Sequence, residues 1–240
     1  MSWSNSQIRT AARASLKGRW KQAVMLTFVF SFVCWGINWP FSIISESCAT
    51  HMTEFTNTLD AGLSVDWSDF WMNWLLMICA MVGSLVLRMP IIWSFAVSFL
   101  RNSRGAEDPF DIKGLCGGYK VFVRISFTGL LALLYIWLWS LLLVVPGIIK
   151  ALSYAMTPYV LADNPDLKNN KAIERSMAMM EGHKMDLFMM NLAFVGWVFL
   201  CIFTLGIGFL WLAPYMNASY AKFYEEVKAE YEQYSAHIKD

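Results

Sequence analysis

Two cations interrupt stretches of chain that are otherwise uncharged, and these residues are best placed to hold a ligand. Arg88 breaks an apolar run from Phe70 to Leu100. It lies 13 residues before Arg101, about 20 Å along a helix, near the middle of a hydrocarbon layer about 30 Å thick. An arginine at that depth costs about 2.5 kcal/mol or more, so it faces the interior of a helix bundle or a water-filled cavity. No carboxylate lies in the uncharged runs to neutralise it. Arg88 must then take backbone carbonyls near Pro90, water, or an anionic guest such as a lipid phosphate; a structural arginine held by carbonyls is the alternative. Lys150 falls 13 residues before Asp163. It is either a second contact for the same anion or a lysine that snorkels to the interface.

Aromatic residues beside prolines form a second set. Pro158-Tyr159 and Pro214-Tyr215 occupy like places late in the chain. A proline inside a membrane helix frees a carbonyl and kinks the helix. Tyr159 and Tyr215 are therefore candidates to line a central cavity, against the plainer reading of packing kinks with interface tyrosines. Asn73, Asn191 and Asn217 suit hydrogen bonds between helices. His51, His183 and His237 are dispersed. There is no HExxH, no GxSxG and no row of carboxylates for a proton relay. The five cysteines are scattered with no CxxC, so neither a metal site nor a disulfide framework is expected. No catalytic residue and no cofactor is assigned.

These residues must be positioned by membrane helices. Leu187 to Ala221 holds 35 consecutive residues without Asp, Glu, Lys or Arg, too long for one crossing and right for two joined by a tight turn. Charged residues make up 15% of the chain, against about 25% in soluble domains. The 12 Trp, 17 Phe and 9 Tyr fit aromatic belts at a membrane interface. A net charge of +1 gives no reason to expect a nucleic-acid partner. The other uncharged runs are Gln22–Ser45, Phe70–Leu100 broken by Arg88, and Ile125–Ala162 broken by Lys150.

Charge then sets the number of crossings. The segment 46–69 carries five acidic and no basic residues, whereas Arg9, Arg13, Lys17, Arg19 and Lys21 precede the first run. The positive-inside rule puts the N-terminus in the cytoplasm and 46–69 outside. The basic segments 101–124 and 163–186 are both inside only if the chain crosses six times. Pro146-Gly147 and Leu205 to Gly208, with Gly206 between them, then form short outer turns. This arrangement leaves 17 of the 19 basic residues cytoplasmic, with Arg88 and Lys150 in spans. A re-entrant 148–162 is the alternative. The expected fold is all-α: one integral membrane bundle over 1–240, six transmembrane helices in three hairpins, and a cytoplasmic tail at 227–240.

The cytoplasmic segments resemble one another. ARASLKGRWKQA around Gly18, KGLCGGYKVFV around Gly118 and SMAMMEGHKMDL around Gly182 each read as a short helix, a glycine, a polar pair and a span. Asp108-Pro109 and Asn164-Pro165 look like helix starts. The three glycines suit left-handed C-terminal caps. A threefold repeat over 1–100, 101–163 and 164–226 follows, each hairpin preceded by a short interfacial amphipathic helix. The alternative is that any interfacial helix ends this way.

The stretch LLLVVPGIIKALSYAMTPYVLADNPDLKNNKAIERSMAMMEGHKMDLF, followed by LGIGFLWLAPYMNASYAKFYEE, resembles a bacterial integral-membrane family known as domain of unknown function 975, most clearly over 140–226. The resemblance implies a polytopic protein of the bacterial cytoplasmic membrane. It implies no activity. The family usually carries an apolar residue where this chain has Lys150.

The expected function is non-enzymatic: binding of membrane lipids, anionic phospholipid among them, or of a protein partner or second copy. The alternatives are a small transporter or channel for an anionic or amphipathic solute, with Arg88 in its path, and a lipid-modifying enzyme.

Overall fold

Ser4 begins the first helix by a reciprocal cap. Its hydroxyl accepts from the Gln7 amide, and its own N–H donates to Gln7 Oε1 at 2.8 Å, so two otherwise orphaned donors are paired. The computed structural model describes residues 4–63, 67–167 and 169–237. Helix α1 runs Asn5–Leu16, and Ile8, Ala12 and Leu16 form its buried stripe. Gly18 then turns the chain at φ +82°, a conformation that costs glycine little and other residues more. Helices α2 (Trp20–Asp60) and α3 (Trp67–Ser103) are the longest in the molecule. After a single turn, α4 (Ile112–Leu115), and a 3₁₀ segment at Gly117–Val121 come α5 (Phe122–Leu142), α6 (Val144–Tyr154), α7 (Thr157–Asp163), α8 (Asn169–Met179), α9 (Lys184–Phe203) and α10 (Phe209–His237). Among the described residues there is no strand.

Among the described residues, five stretches are long and apolar enough to cross a membrane: Trp20–Asp60, Trp67–Ser103, Ile112–Leu142, Val144–Asp163 and Lys184–Phe203. Helix α10 is not one of them, because charge enters it from Lys222 onward.

Three sequence expectations are corrected. Residues 46–60 of the acidic segment, expected as part of an outer loop, are helical. Helix α2 continues to Asp60, about 60 Å in all, because no glycine or proline stands between Phe41 and Asp60 to stop it. The chain does not turn at Pro146-Gly147 either. It breaks at Leu143, whose backbone is extended (φ −164°, ψ 149°), and Pro146 falls in the first turn of α6. A residue without an N–H fits there, where an amide would have no helical partner. Gly147 lies where α6 presses on α5; a Cβ there would sit 2.1 Å from Ser140 Oγ. Finally, Asp108 and Asn164 do not cap the helices assigned to them. Asp111 caps α4 through the Lys113 amide, and Asn164 ends α7.

Contacts divide the chain into two compact units: residues up to Phe30 together with Pro90 onward, and Ser31–Met89. Both divisions fall inside long helices, α2 and α3. The larger unit holds the main core, with Leu16, Leu26, Phe99, Met180, Phe194 and Tyr224 each 2% exposed or less. Helix α1 packs along α10, and α8 packs across α5, α6 and α7. Ser176 of α8 donates to the Ser153 carbonyl at 2.8 Å. The smaller unit is a hairpin of α2 and α3. Phe55 meets Trp67 and Phe70 near its tip, with centroids 5.5 and 4.8 Å away. Gly83 lies against the Phe41 ring.

Candidate ligand cleft at Arg88

Helical spacing builds the site in the smaller unit. On α2, Asn38, Ser42 and Ser45 recur one turn apart. On α3, Trp74, Met81, Ser84 and Arg88 recur at three, four or seven positions, which places them on one face. The two faces flank an open cleft of about 580 Å³, within the ~300–1,000 Å³ of small-molecule sites. Its polar side chains are Asn38, Ser42, Ser45, Ser84 and Arg88; its apolar wall includes Phe41, Trp74 and Met81.

Arg88 is half-buried, and its Nε donates to the Ser84 carbonyl at 3.2 Å. Carbonyls near Pro90, water or an anionic guest were the expected acceptors; the carbonyl used lies one turn toward the N-terminus, because helical side chains lean that way. Among the described residues no carboxylate pairs with Arg88. A guanidinium has five N–H donors in a planar fork, so its Nη edge is left for an acceptor in the cleft. Ser42 and Ser84 spend their hydroxyl protons on the carbonyls of Trp39 (2.7 Å) and Met81 (2.9 Å) of their own helices. Both therefore face the cleft as acceptors, able to receive a hydroxyl or ammonium donor. The cleft thus combines one cation, several neutral polar groups and an apolar wall.

The other expected residues lie in the larger unit. Lys150 is half-buried, with Nζ 5.0 Å from the Trp139 ring centroid and 3.9 Å from Met177 Sδ. A cation over an indole is attracted by the ring quadrupole. Tyr159 is 4% exposed and stacks on Tyr224 with centroids 5.2 Å apart. It is core. Tyr215 meets Phe194 edge-on at 5.4 Å and borders a separate cavity. Pro158 lies in the first turn of α7, where the Trp93 indole donates to its carbonyl at 2.9 Å. Of Asn73, Asn191 and Asn217, it is Asn191 that bonds across helices, accepting from the Tyr220 hydroxyl. Asn73 and Asn217 each donate to a carbonyl of their own helix.

The glycines also part company. Gly18 and Gly182 have φ of +82° and +86°, as left-handed caps require. Gly206 has φ +85°, beside Leu205 at +53°, and together they turn α9 into α10. Gly208 packs on Cys201, where a Cβ would come within 2.7 Å of Sγ. Gly118 is not a left-handed cap. It sits in the 3₁₀ segment, and a Cβ there would lie 2.3 Å from the Pro90 carbonyl oxygen. Its amide donates to Ser94 Oγ at 2.8 Å, so close approach is what requires glycine.

A polar hub escaped the sequence reading. Asp163 accepts from both Nη atoms of Arg104 (2.7 and 2.8 Å), from Lys228 Nζ (2.7 Å) and from the Tyr224 hydroxyl (2.9 Å). Arg104 also binds Glu225 at 2.8 Å. The Asp163 carboxylate, by these hydrogen bonds, holds the Arg104 guanidinium above its already high ordinary range. The partners lie 59 to 65 positions apart, so no local spacing could signal them.

A family model described as "Protein of unknown function (DUF975)" matches residues 67–231. The chain belongs to the DUF975 family. The match takes in Arg88 and the α3 face of the cleft, together with Arg104, Asp163, Tyr224 and Lys228. It extends well before residue 140, where the sequence resemblance was clearest, and does not include the α2 face. Searches of curated proteins and of solved structures gave no match.

Proposed function

We propose that this DUF975 member is a membrane-embedded binding protein for an anionic amphiphile, an anionic phospholipid in the first instance, whose phosphate rests on Arg88. The observation that carries the reading is the Arg88 guanidinium, opening into a cleft with polar and apolar walls and having no carboxylate partner among the described residues. A charge-assisted fork on a phosphate would use the idle donors and offset the cost of the half-buried cation.

The topology belongs to the same reading. We place the protein in the bacterial cytoplasmic membrane with six crossings, α10 supplying the sixth through its apolar part, and with both termini inside. The turn at Leu205-Gly206 and the break at Leu143 support outer ends for two hairpins. The shared positive φ of Gly18 and Gly182 supports repetition of the segments around them.

Thermal-shift measurements in detergent, with and without dioleoyl phosphatidylglycerol, test the site. A ligand at a hundred times its Kd adds about 2.7 kcal/mol, or roughly 5–10 °C for a chain of this size. The lipid-induced shift should shrink in Arg88→Lys, which keeps charge but loses the planar fork. It should shrink further in Arg88→Met, whose lipid-free melting should stay at or above that of the native protein. An unchanged lipid shift, or a lipid-independent loss of stability in Arg88→Met, would make Arg88 structural. The cleft's polar wall also suits the second reading, a small transporter of an anionic or amphipathic solute. Counterflow of a fluorescent lipid or organic anion in proteoliposomes separates transport from binding.

A further inference from the structure

The larger unit holds a second cavity, independent of the Arg88 cleft and built from different helices. Arg13 of α1 lies over the Tyr215 ring of α10, its Cζ 5.0 Å from the centroid. Beside them opens a cavity of about 390 Å³ walled by Trp20, Trp197, Leu200 and Trp211 among others. The wall is almost wholly apolar, with Arg13 its one charged group. Leu200, Trp211 and Trp197 are 56%, 53% and 47% exposed, so the cavity opens sideways along the surface of α9 and α10. Arg13 has no carboxylate partner among the described residues, and the three indole N–H groups have no acceptor among them.

We infer that this cavity is a site for one anionic phospholipid, with its phosphate on Arg13 and one acyl chain along the Leu200 and Trp211 wall. The charge and the wall choose the occupant together. A free anion would gain from the guanidinium but nothing from the apolar wall. An uncharged chain would gain from the wall and leave the cation, held only over the Tyr215 ring, without a counter-charge. A phospholipid satisfies both, and indoles with an apolar body and one N–H donor suit the glycerol and ester region between its phosphate and its chains. The placement of α1 makes the site possible. Its apolar stripe packs along α10, which carries an N-terminal arginine to Tyr215, seven residues into the uncharged stretch that ends before Lys222.

Native mass spectrometry of the full chain in detergent tests the inference, with dioleoyl phosphatidylglycerol, dioleoyl phosphatidylcholine and inorganic phosphate as probes. The native protein should hold a phosphatidylglycerol that Arg13→Gln weakens roughly ten- to a hundred-fold, the value of a charge-assisted bond. Arg13→Lys should keep part of the affinity. Leu200→Trp, which fills the wall without touching the charge, should also lower occupancy. Arg88→Met should leave this lipid in place. Unchanged occupancy in Arg13→Gln or in Leu200→Trp overturns the inference. So does displacement of the lipid by millimolar inorganic phosphate, which would mark a free-anion site, or binding of phosphatidylcholine as tight as that of phosphatidylglycerol and indifferent to Arg13→Gln. A lipid lost in Arg88→Met but untouched by Arg13→Gln, with no other bound, overturns this site alone. A lipid lost in Arg13→Gln with no change in Arg88→Met overturns the Arg88 reading alone.

Discussion

Replacing Asp163 by Asn should destabilise the larger unit more than any other single polar substitution in it. The carboxylate is 9% exposed and bridges Arg104, after α3, to Lys228 and Tyr224 on α10. Asparagine keeps one carbonyl oxygen but brings an NH₂ group against two cations. Removing one partner of a fully buried ion pair costs about 3–5 kcal/mol. Here the cations are not fully buried: the Arg104 and Lys228 side chains are 40% and 25% exposed, so both recover hydration, and wholly exposed pairs are worth only about 0.2–1 kcal/mol. The discounted cost is about 2–3 kcal/mol, or a melting shift of roughly 4–12 °C at the scale for 150–250 residues. Glu225→Gln is the internal control. Its side chain is 32% exposed and among the described residues it bonds Arg104 alone, so its shift should stay below about 3 °C. Thermal melts in one detergent, followed by far-ultraviolet circular dichroism, provide the comparison. A double-mutant cycle of Asp163→Asn with Arg104→Met should show coupling, because the two residues share two hydrogen bonds. If Asp163→Asn melts within about 2 °C of the native protein, or if Glu225→Gln costs as much, the hub is a surface network and the argument fails.

Gly118→Ala should lower the melting temperature more than Gly18→Ala, because its Cβ meets the Pro90 backbone oxygen at 2.3 Å whereas nothing lies within 4 Å at Gly18; equal shifts would refute the close-approach account. Gly18→Ala and Gly182→Ala should each cost about 1 kcal/mol through the left-handed backbone, and Gly→Asn at either position should cost less than Gly→Ala, since asparagine tolerates that region; thermal melts of the four variants decide. For the six-crossing topology, Lys171→Cys in a cysteine-free background should resist an impermeant thiol reagent in intact cells and react after permeabilisation. Labelling before permeabilisation would remove the cytoplasmic assignment of 163–186.

The sequence by itself determined the apolar helices and several of their ends. Length and absence of charge suffice for α9, because an uncharged run of that length must bury its backbone polar groups in a helix wherever water is scarce. Gly18, Gly182 and Gly206 were legible as turns because the conformational preference of glycine is local. Arg88 was legible because an unpaired cation in an apolar run is costly in any fold. Other features depended on distant residues. Pro146 reads equally as a turn or as the first turn of a helix, and only the packing of Gly147 on Ser140 puts the break at Leu143. Gly118 reads as a cap, yet its requirement comes from Pro90, 28 positions away. Asp163 reads as the end of a span, and becomes a hub only when α3 and α10 bring Arg104, Tyr224 and Lys228 to it. The two clefts follow the same division: helical period aligns the residues on each helix, and tertiary packing alone decides which two faces enclose a cavity.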